Sequence, residues 1–423
     1  MALATVVAMS AILFLLATTL VMVSTQQQVT TSHYASRTQA LQLADAGITA
    51  YEQDIKLHSQ DTSGVIGPQV NQNGSWTVTA APDPSNPQQT ILTSVGKLSD
   101  GTTRKVVTVV RPQSLGDYAI VMNKDYSLGS GGVVDGDIVV NGTLSNDGEI
   151  TGYAYYGTSY SGSGKWDKGK PTKKTINFAD MSLDLAAMLT KAQFYNTYIP
   201  PAGNSPTGTA CLGYRVILNG NSLTYDKVLK VDGTTGALAL VGAPVTLTIP
   251  DPANDTAIYF DDRIWVSGNY SRSCTLASSS TQVDSSETKG NSPYANSAVF
   301  IVDNIVPTAS NSTAVMGIVT PGDISIPTWY SSMQSAFKAS GTELDIFCSL
   351  LSQNGIFHFD DNNQANLYSL HTMGSRAAQS NGNFSAGFTN RTYEYDDRLR
   401  TTLPPAYPKL HDGSLHIVTW NEY

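Results

Sequence analysis

The stretch MALATVVAMSAILFLLATTLVMVS, residues 1–24, contains no charged side chain, and the polar sequence after it runs to His58 without a proline. At about 1.5 Å of rise per residue, a helix over this stretch would cross the roughly 30 Å hydrocarbon core of a bilayer. Residues spaced alternately by three and four then predict one narrow apolar seam on the continuing helix: Leu41, Ala44, Ile48, Tyr51 and Ile55. We therefore expect a membrane anchor that continues into a helical stalk.

The apolar run differs from a secretory signal peptide because the first basic residue, Arg37, lies beyond it. It also differs from an ordinary single-span anchor, since basic residues do not precede it to set an orientation. We therefore expect that a charged leader has been removed and that Met1 is the processed N-terminus.

The stretch ALQLADAG, residues 40–47, follows the apolar run and resembles the A-L-x-L-A-E-A-G pattern of the type IV pilin superfamily, in particular of proteins with a PilX-type N-terminus. The resemblance implies that the helix waits in the membrane and then packs against other helices in a filament core. It implies assembly contacts for Met1, Thr5, Val7 and Phe14, and an inner-membrane pilus assembly machinery as a partner. The seam residues are further candidates for assembly, and we expect them to contact either the chain's own sheet or neighbouring helices. The segments YEYDDRLRTTLPPAYPKL and HIVTWNEY resemble the closing part of the same proteins.

Thr5 departs from most major pilins, which carry a glutamate at the fifth mature position to pair with the N-terminal amine of a neighbour. A threonine cannot neutralise that amine, and an unpaired charge in an apolar core is costly. Minor subunits at a filament tip share this lack. Two roles follow from the resemblance: the main subunit, and a minor subunit that starts assembly or adheres.

The composition of the 423 residues, with 14% charged residues, 35 glycines and 19 prolines, is typical of turn-rich β structure outside the cell. The net charge of −9 argues against nucleic acid as the main partner. One stretch combines basic and aromatic residues and is a candidate patch for an anionic partner: Lys165, Trp166, Lys168, Lys170, Lys173 and Lys174. A solvated loop, or a contact with an acidic neighbouring subunit, is the favoured interpretation of this patch.

The remaining sequence predicts an α+β pilin module followed by a large mainly-β domain. Residues 1–58 are the helix, and residues 59–111 contain three β-like runs with a hairpin signal at Asp100-Gly101. Residues 112–423 are predicted as the large domain. Within it, a unit of Asn or Asp, Gly and then one apolar residue recurs every six residues from 135 to 152, which predicts a β-solenoid. A meander of hairpins is the alternative, because the same dipeptides form hairpin turns.

A longer unit of apolar strand, polar corner and apolar strand recurs four times between residues 257 and 359. We expect the isoleucines after the corners to stack inward: Ile264, Ile305, Ile324 and Ile356. Residues 238–249 are expected to form another layer of the solenoid. A helix over residues 182–195 is expected to cap its open end.

The sequence predicts no enzymatic site. The carboxylate pairs at residues 261–262, 360–361 and 396–397 fall at predicted corners without a basic cluster beside them. The six histidines form no H-x-x-x-H pair, so we expect no metal site and no cofactor. Cys348 is expected as a buried thiol, whereas export of the head would allow one disulfide between Cys211 and Cys274.

The resemblance, together with the composition, implies a structural subunit of an extracellular type IV pilus-like filament. We expect it to be inserted in the membrane before assembly and then to stand on the cell surface, with copies of itself or other pilins as partners and surface glycans as further candidates. The hypothesis of another class is a membrane-anchored, carbohydrate-binding or carbohydrate-cleaving β-helix protein.

Overall fold

The computed structural model describes all residues except 1, 59–63, 72–73, 233–234, 282–296, 328–330, 360–366 and 381–387. The chain divides into two compact units. The small unit comprises Met1–Pro112 and Asp412–Tyr423, and the large unit comprises Gln113–His411. Residues 412–423, which the sequence assigned to the large domain, thus join the small unit.

The small unit begins with one continuous helix, α1 (Ala2–His58), of 57 residues. At about 1.5 Å per residue its length is about 85 Å. The predicted long N-terminal helix is confirmed. Its single glycine and its lack of proline explain why the polar half continues the apolar half without a break.

A five-stranded antiparallel sheet completes the small unit. Its first strands are β1 (Gly64–Asn71), β2 (Gly74–Asp83), β3 (Asn86–Leu98) and β4 (Thr103–Pro112). The fifth, here called the C-terminal strand (Leu415–Glu422), pairs with β4. This pairing covers an edge of the sheet that would otherwise be open, and local sequence could not reveal it because its two partners stand 311 residues apart at Thr108 and Thr419.

The large unit is mainly β, as predicted for this region. Among its described residues the α-helices are α2 (Met181–Phe194) and α3 (Ser331–Phe337). Its first ten strands are β5 (Ile120–Met122), β6 (Tyr126–Leu128), β7 (Val133–Val134), β8 (Ile138–Val140), β9 (Thr143–Asn146), β10 (Glu149–Ile150), β11 (Ala154–Tyr156), β12 (Ser159–Ser161), β13 (Lys165–Trp166) and β14 (Thr172–Lys173). The strands after α2 are β15 (Tyr198–Ile199), β16 (Gly213–Gly220), β17 (Ser222–Val231), β18 (Leu238–Thr248), β19 (Ile258–Phe260), β20 (Ile264–Tyr270), β21 (Cys274–Ser278), β22 (Val299–Pro307), β23 (Met316–Thr320), β24 (Ile324–Ile326), β25 (Glu343–Ile346), β26 (Ser349–Ser352), β27 (Phe357–Phe359), β28 (Leu367–Met373), β29 (Arg376–Ala378) and β30 (Phe388–Glu394). Short 3-10 helices cover Leu115–Asp117, Phe178–Asp180, Pro252–Asn254 and Asp397–Arg400.

One sheet of the large unit, here called the parallel sheet, has ten strands in the order β14-β11-β8-β5-β29-β26-β23-β21-β19-β15. Every neighbouring pair in it is parallel. The chain enters in the middle at β5 and steps outward to β14. It then passes through α2 to β15 at the opposite edge and steps back to β29, beside β5.

The predicted six-residue solenoid unit is wrong as a stacking period. Positions 133, 149 and 165 are paired in parallel register, an offset of sixteen residues. Strands about six residues apart, such as β8, β9 and β10, lie instead in three different sheets. The corner carboxylates explain the longer offset, because Asp137 and Asp147 accept hydrogen bonds from the main-chain N–H groups of Tyr153 and Ser163, each sixteen residues later.

A second ten-stranded sheet, here called the mixed sheet, follows the order β18-β17-β16-β20-β22-β25-β28-β30, with β24 and β27 paired beside it. Its strands β16, β17 and β18 form an antiparallel meander. Residues 238–249 therefore make an edge strand of a hairpin array and not a further stacked layer. The hairpin between β16 and β17 turns at Gly220, whose φ of 62° favours glycine.

The isoleucines predicted to stack are inside, but they do not form one column. Ile264, Ile305 and Ile324 are buried and Ile356 is half-buried. Ile264 pairs with Val299, whereas Ile305 pairs with positions 268 and 346. A solenoid that winds in one direction through residues 112–423 is thus not observed, because α2 and the meander interrupt the order of the strands.

Helix α2 does not cap an open end, as the sequence analysis expected. Its buried residues Leu185, Met188 and Ala192 share a cluster with residues of the parallel sheet, among them Val139 and Val319. The helix therefore covers a face of that sheet on its way from β14 to β15.

Candidate assembly surface

The N-terminal half of α1 is an exposed apolar surface. Val7 is 61% exposed and Phe14 is 70% exposed. The large apolar side chains exposed in this half are Leu3, Val6, Val7, Met9, Ile12, Leu13, Phe14, Leu15, Leu16, Leu20, Val21, Met22, Val23 and Val29. Since residues 12–16 are all exposed and consecutive, the surface is apolar around the whole helix. A patch of this extent marks a site of contact with a membrane or another protein.

Within the described part of the chain, α1 is the one helix that is long and apolar enough to cross a membrane. The qualifying segment runs over Val6–Leu57 and its most apolar window is not buried in the chain itself.

Polar side chains in the apolar half are satisfied within the helix. The hydroxyl of Ser10 donates to the carbonyl oxygen of Val6 at 2.9 Å, and that of Thr18 donates to Phe14 at 3.0 Å. Thr19 donates in the same way to Leu15 at 2.6 Å. Such internal bonds leave these residues compatible with apolar surroundings.

The structure describes one of the two predicted assembly residues at the start of the chain. Met1 lies outside the described residues, and Thr5 lies in α1.

The predicted seam of α1 packs on the sheet of the small unit. Of the two expected contacts of the seam, the structure describes the one with the chain's own sheet. The shared core consists of Ala44, Ile48, Tyr51, Ile55, Val78, Ala80, Leu92, Val106 and Val110, with Leu41 half-buried beside it. The seam and the apolar half therefore face different partners.

In the ALQLADAG stretch the helix lies close against the sheet. A Cβ atom added at Gly47 would overlap Ser94 Oγ and would lie 2.9 Å from Val78 Cγ2. A Cβ atom added at Gly96 would overlap the carbonyl oxygen of Ala40. Gly47 is thus required by the packing of α1 on β2 and β3, which gives the glycine of the sequence pattern a physical cause.

The lysine-rich patch is divided among different structural contacts. Lys165 forms ion pairs with Glu149 at 2.6 Å and Asp167 at 3.0 Å. The Lys174 ammonium lies over the rings of Tyr118 and Tyr155.

The other members of the patch are placed more simply. Trp166 is half-buried against the core, while Lys168, Lys170 and Lys173 are exposed. This division favours the interpretation of the patch as a solvated surface.

The disulfide considered between Cys211 and Cys274 is not formed, since both residues and Cys348 are free cysteines. Cys274 belongs to the core of the large unit and is 2% exposed, whereas Cys211 lies at its margin. Burial raises the pKa of the Cys274 thiol to about 12. Cys348 is a buried thiol, as expected, and burial raises its pKa as well.

The carboxylate pairs that the structure describes accept hydrogen bonds from other residues of the large unit. Asp261 accepts from the Tyr198 hydroxyl at 2.9 Å, and Asp262 accepts from the N–H of Ala202 at 3.0 Å. Asp396 caps a 3-10 helix and takes two hydrogen bonds from the Arg398 guanidinium. The pair at residues 360–361 lies outside the described residues.

One cluster was not predicted from the sequence. Strands β25, β28 and β30 bring together Glu343, Asp345, His371 and Glu394. The alternation E-x-D in β25 and S-x-H in β28 places these side chains on one face of each strand. The two faces coincide because β25 and β28 pair with an offset of 26 residues, which local sequence does not show.

Comparison with known proteins gives weak structural similarity and no family. Neither a family model nor a curated protein matches the chain. Among solved structures, the competence-associated pilin ComZ from Thermus thermophilus matches with a TM-score of 0.33 and 13% identity, over 92% of this chain and 97% of that chain. At this level of similarity, neither fold nor function follows for the present chain.

Proposed function

We propose that this protein is a structural subunit of a type IV pilus-like filament, related to PilX-type pilins. One observation carries the proposal: a single helix has an apolar half that the chain leaves exposed and a second half docked on its own antiparallel sheet. The resemblance of residues 40–47 to the pilin pattern supports it, because those residues make the close approach between helix and sheet.

The energetics of the exposed half support assembly through α1. Burial of a large apolar side chain contributes about 1.5–3 kcal/mol, and the exposed half carries many such side chains. In this proposal a bilayer covers them before assembly, and the helices of neighbouring subunits cover them afterwards. The partners are copies of this chain or other pilins, and an inner-membrane machinery would move the chain from one environment to the other.

A role as a minor subunit at the filament tip is the second candidate function. Thr5 favours a minor subunit at the tip, because a terminal subunit does not need a carboxylate to pair with the amine of a neighbour beyond it. The number of copies per filament separates this candidate from the main-subunit role.

The test is a charge in the apolar half. Phe14→Glu should prevent recovery of the chain in sheared surface filaments, because an isolated charge in a packed apolar core costs several kcal/mol. The variant should still fold, as judged by circular dichroism of the detergent-solubilised protein. Gln53→Glu, at an exposed position of the same helix, is the matched control and should assemble normally. Normal filaments from Phe14→Glu would contradict the proposal.

A further inference from the structure

A cluster of carboxylates and one imidazole lies on the last three strands of the mixed sheet, β25, β28 and β30. Glu343, Asp345 and His371 each offer one ligand atom, and these atoms lie within 4.8 Å of one another. Asp345 is paired with His371 across β25 and β28, so both side chains stand at the same level of neighbouring strands. The arrangement is therefore set by the register of the sheet and not by a loop.

The two ring nitrogens of His371 face carboxylates on opposite sides. Nδ1 lies 3.5 Å from Asp345 Oδ1, and Nε2 lies 3.4 Å from Glu394 Oε2. Two ligand atoms at about 2.1 Å from a tetrahedral ion lie about 3.4 Å apart. The Asp345–Nδ1 spacing thus fits two ligands of one ion.

Glu394 fits the role of an orienting partner. A metal-bound histidine commonly donates its other ring N–H to a carboxylate, which fixes the tautomer. Nε2 of His371 is buried and makes no hydrogen bond despite its closeness to Glu394. With an ion on Nδ1, this nitrogen would carry the proton and face an acceptor.

The ring and one carboxylate are held by neighbours. Phe347 packs edge-on against the His371 ring, with the ring centroids 4.9 Å apart. The Ser369 hydroxyl donates to Glu343 Oε1 at 2.7 Å. This leaves Glu343 one further carboxylate oxygen.

We propose that Glu343, Asp345 and His371 bind one divalent transition-metal ion, with zinc as the fitting ion and Glu394 as the second-sphere carboxylate. Two oxygens and one imidazole nitrogen suit zinc, and water completes the coordination. Calcium fits less well because it takes oxygen ligands almost exclusively. The ion would join β25 to β28 and, through Glu394, to β30. This inference goes beyond the filament proposal and does not depend on it.

The test is calorimetric titration of the detergent-solubilised full chain with zinc chloride. We expect one zinc ion per chain, with affinity weakened at least tenfold by His371→Gln and by Asp345→Asn, and about tenfold by Glu394→Gln. Both ligand variants are close in shape to the native residues, and circular dichroism checks that they fold.

His411→Gln is the matched control, because His411 also lies beside an aspartate, 3.1 Å from Asp184. It should leave zinc binding unchanged. Cobalt replaces zinc in a parallel titration, and thiolate charge-transfer bands would assign the ion to Cys211 instead. Such bands, absent binding, or equal affinity in all variants would each overturn the proposal.

Discussion

The hydroxyl of Ser94 donates a buried hydrogen bond of 2.7 Å to the main-chain carbonyl of Ala44, fifty residues earlier in the chain. The bond lies between β3 and α1, at the level where Gly47 and Gly96 allow close approach. It therefore helps to fix the level at which α1 packs on the sheet.

Replacement of Ser94 by alanine should weaken this attachment by about 1 kcal/mol, because the Ala44 carbonyl keeps its partner within the helix. Hydrogen exchange of the β3 main-chain amides should become about fivefold faster. Lys97→Ala, at an exposed position of the same strand, is the control and should change nothing. Equal exchange in Ser94→Ala and the native chain would show that the bond does not hold the helix.

Gly47→Val should destabilise the small unit by about 1–3 kcal/mol, since the added atoms would overlap Ser94 and Val78. Ala46→Val on the exposed side of α1 is the matched control and should stay within about 0.5 kcal/mol of the native chain. Thermal unfolding in detergent, followed by circular dichroism, measures both. A tolerated valine at position 47 would refute the close-packing explanation of the ALQLADAG pattern.

Asp255 should make the stability of the large unit depend on pH. Burial acts to raise the pKa of this carboxyl. Three interactions outweigh burial and lower the pKa: the positive charge of Lys409, a hydrogen bond from Lys191 at 2.8 Å and a hydrogen bond from the N–H of Ala406. Because the pKa is lower in the folded state, the contribution is present above about pH 3.9 and is lost as the pH falls through the folded value.

Asp255→Asn should therefore lower the unfolding temperature at pH 7 by an amount that corresponds to about 1–2 kcal/mol, and by less at pH 3. Asparagine tolerates the φ of 46° at this position, so the substitution tests the charge. Asp303→Asn at an exposed site is the control. A difference that does not depend on pH would rule out the ion-pair explanation.

Cysteine labelling should separate the three thiols. At pH 8 in the folded protein only Cys211 should react, since burial holds the pKa of Cys274 at about 12 and also raises that of Cys348. After unfolding without reductant, all three should react. Loss of two thiols from the unfolded count would mean that Cys211 and Cys274 had formed the disulfide.

The parts of the fold that depend on local sequence were predictable. The uncharged run of residues 1–24 and the three-and-four spacing of residues 41–55 predicted α1, because helix length and helix periodicity follow from backbone geometry. The Asp100-Gly101 pair predicted the turn between β3 and β4, where Gly101 has a φ of 89°. These features need no knowledge of distant residues.

The parts that depend on parallel pairing were not predictable. Asp-Gly and Asn-Gly pairs mark corners, but they do not show whether the next layer lies six or sixteen residues later. The passage through α2 to the far edge of the parallel sheet left no local signal. The pairing of Asp345 with His371 was hidden for the same reason, and so the cluster around His371 was missed.

The first and last few residues of the large unit lie side by side and are hydrogen-bonded to each other. The N–H of Leu410 donates to the carbonyl oxygen of Gln113 at 2.6 Å, and Lys409 forms an antiparallel bridge with Ser114. Strand β4 and the C-terminal strand, which flank the large unit in sequence, pair with each other. The large unit is thus a cassette placed in a single connection between neighbouring strands. A different domain in this connection would leave the order of strands in the small sheet unchanged.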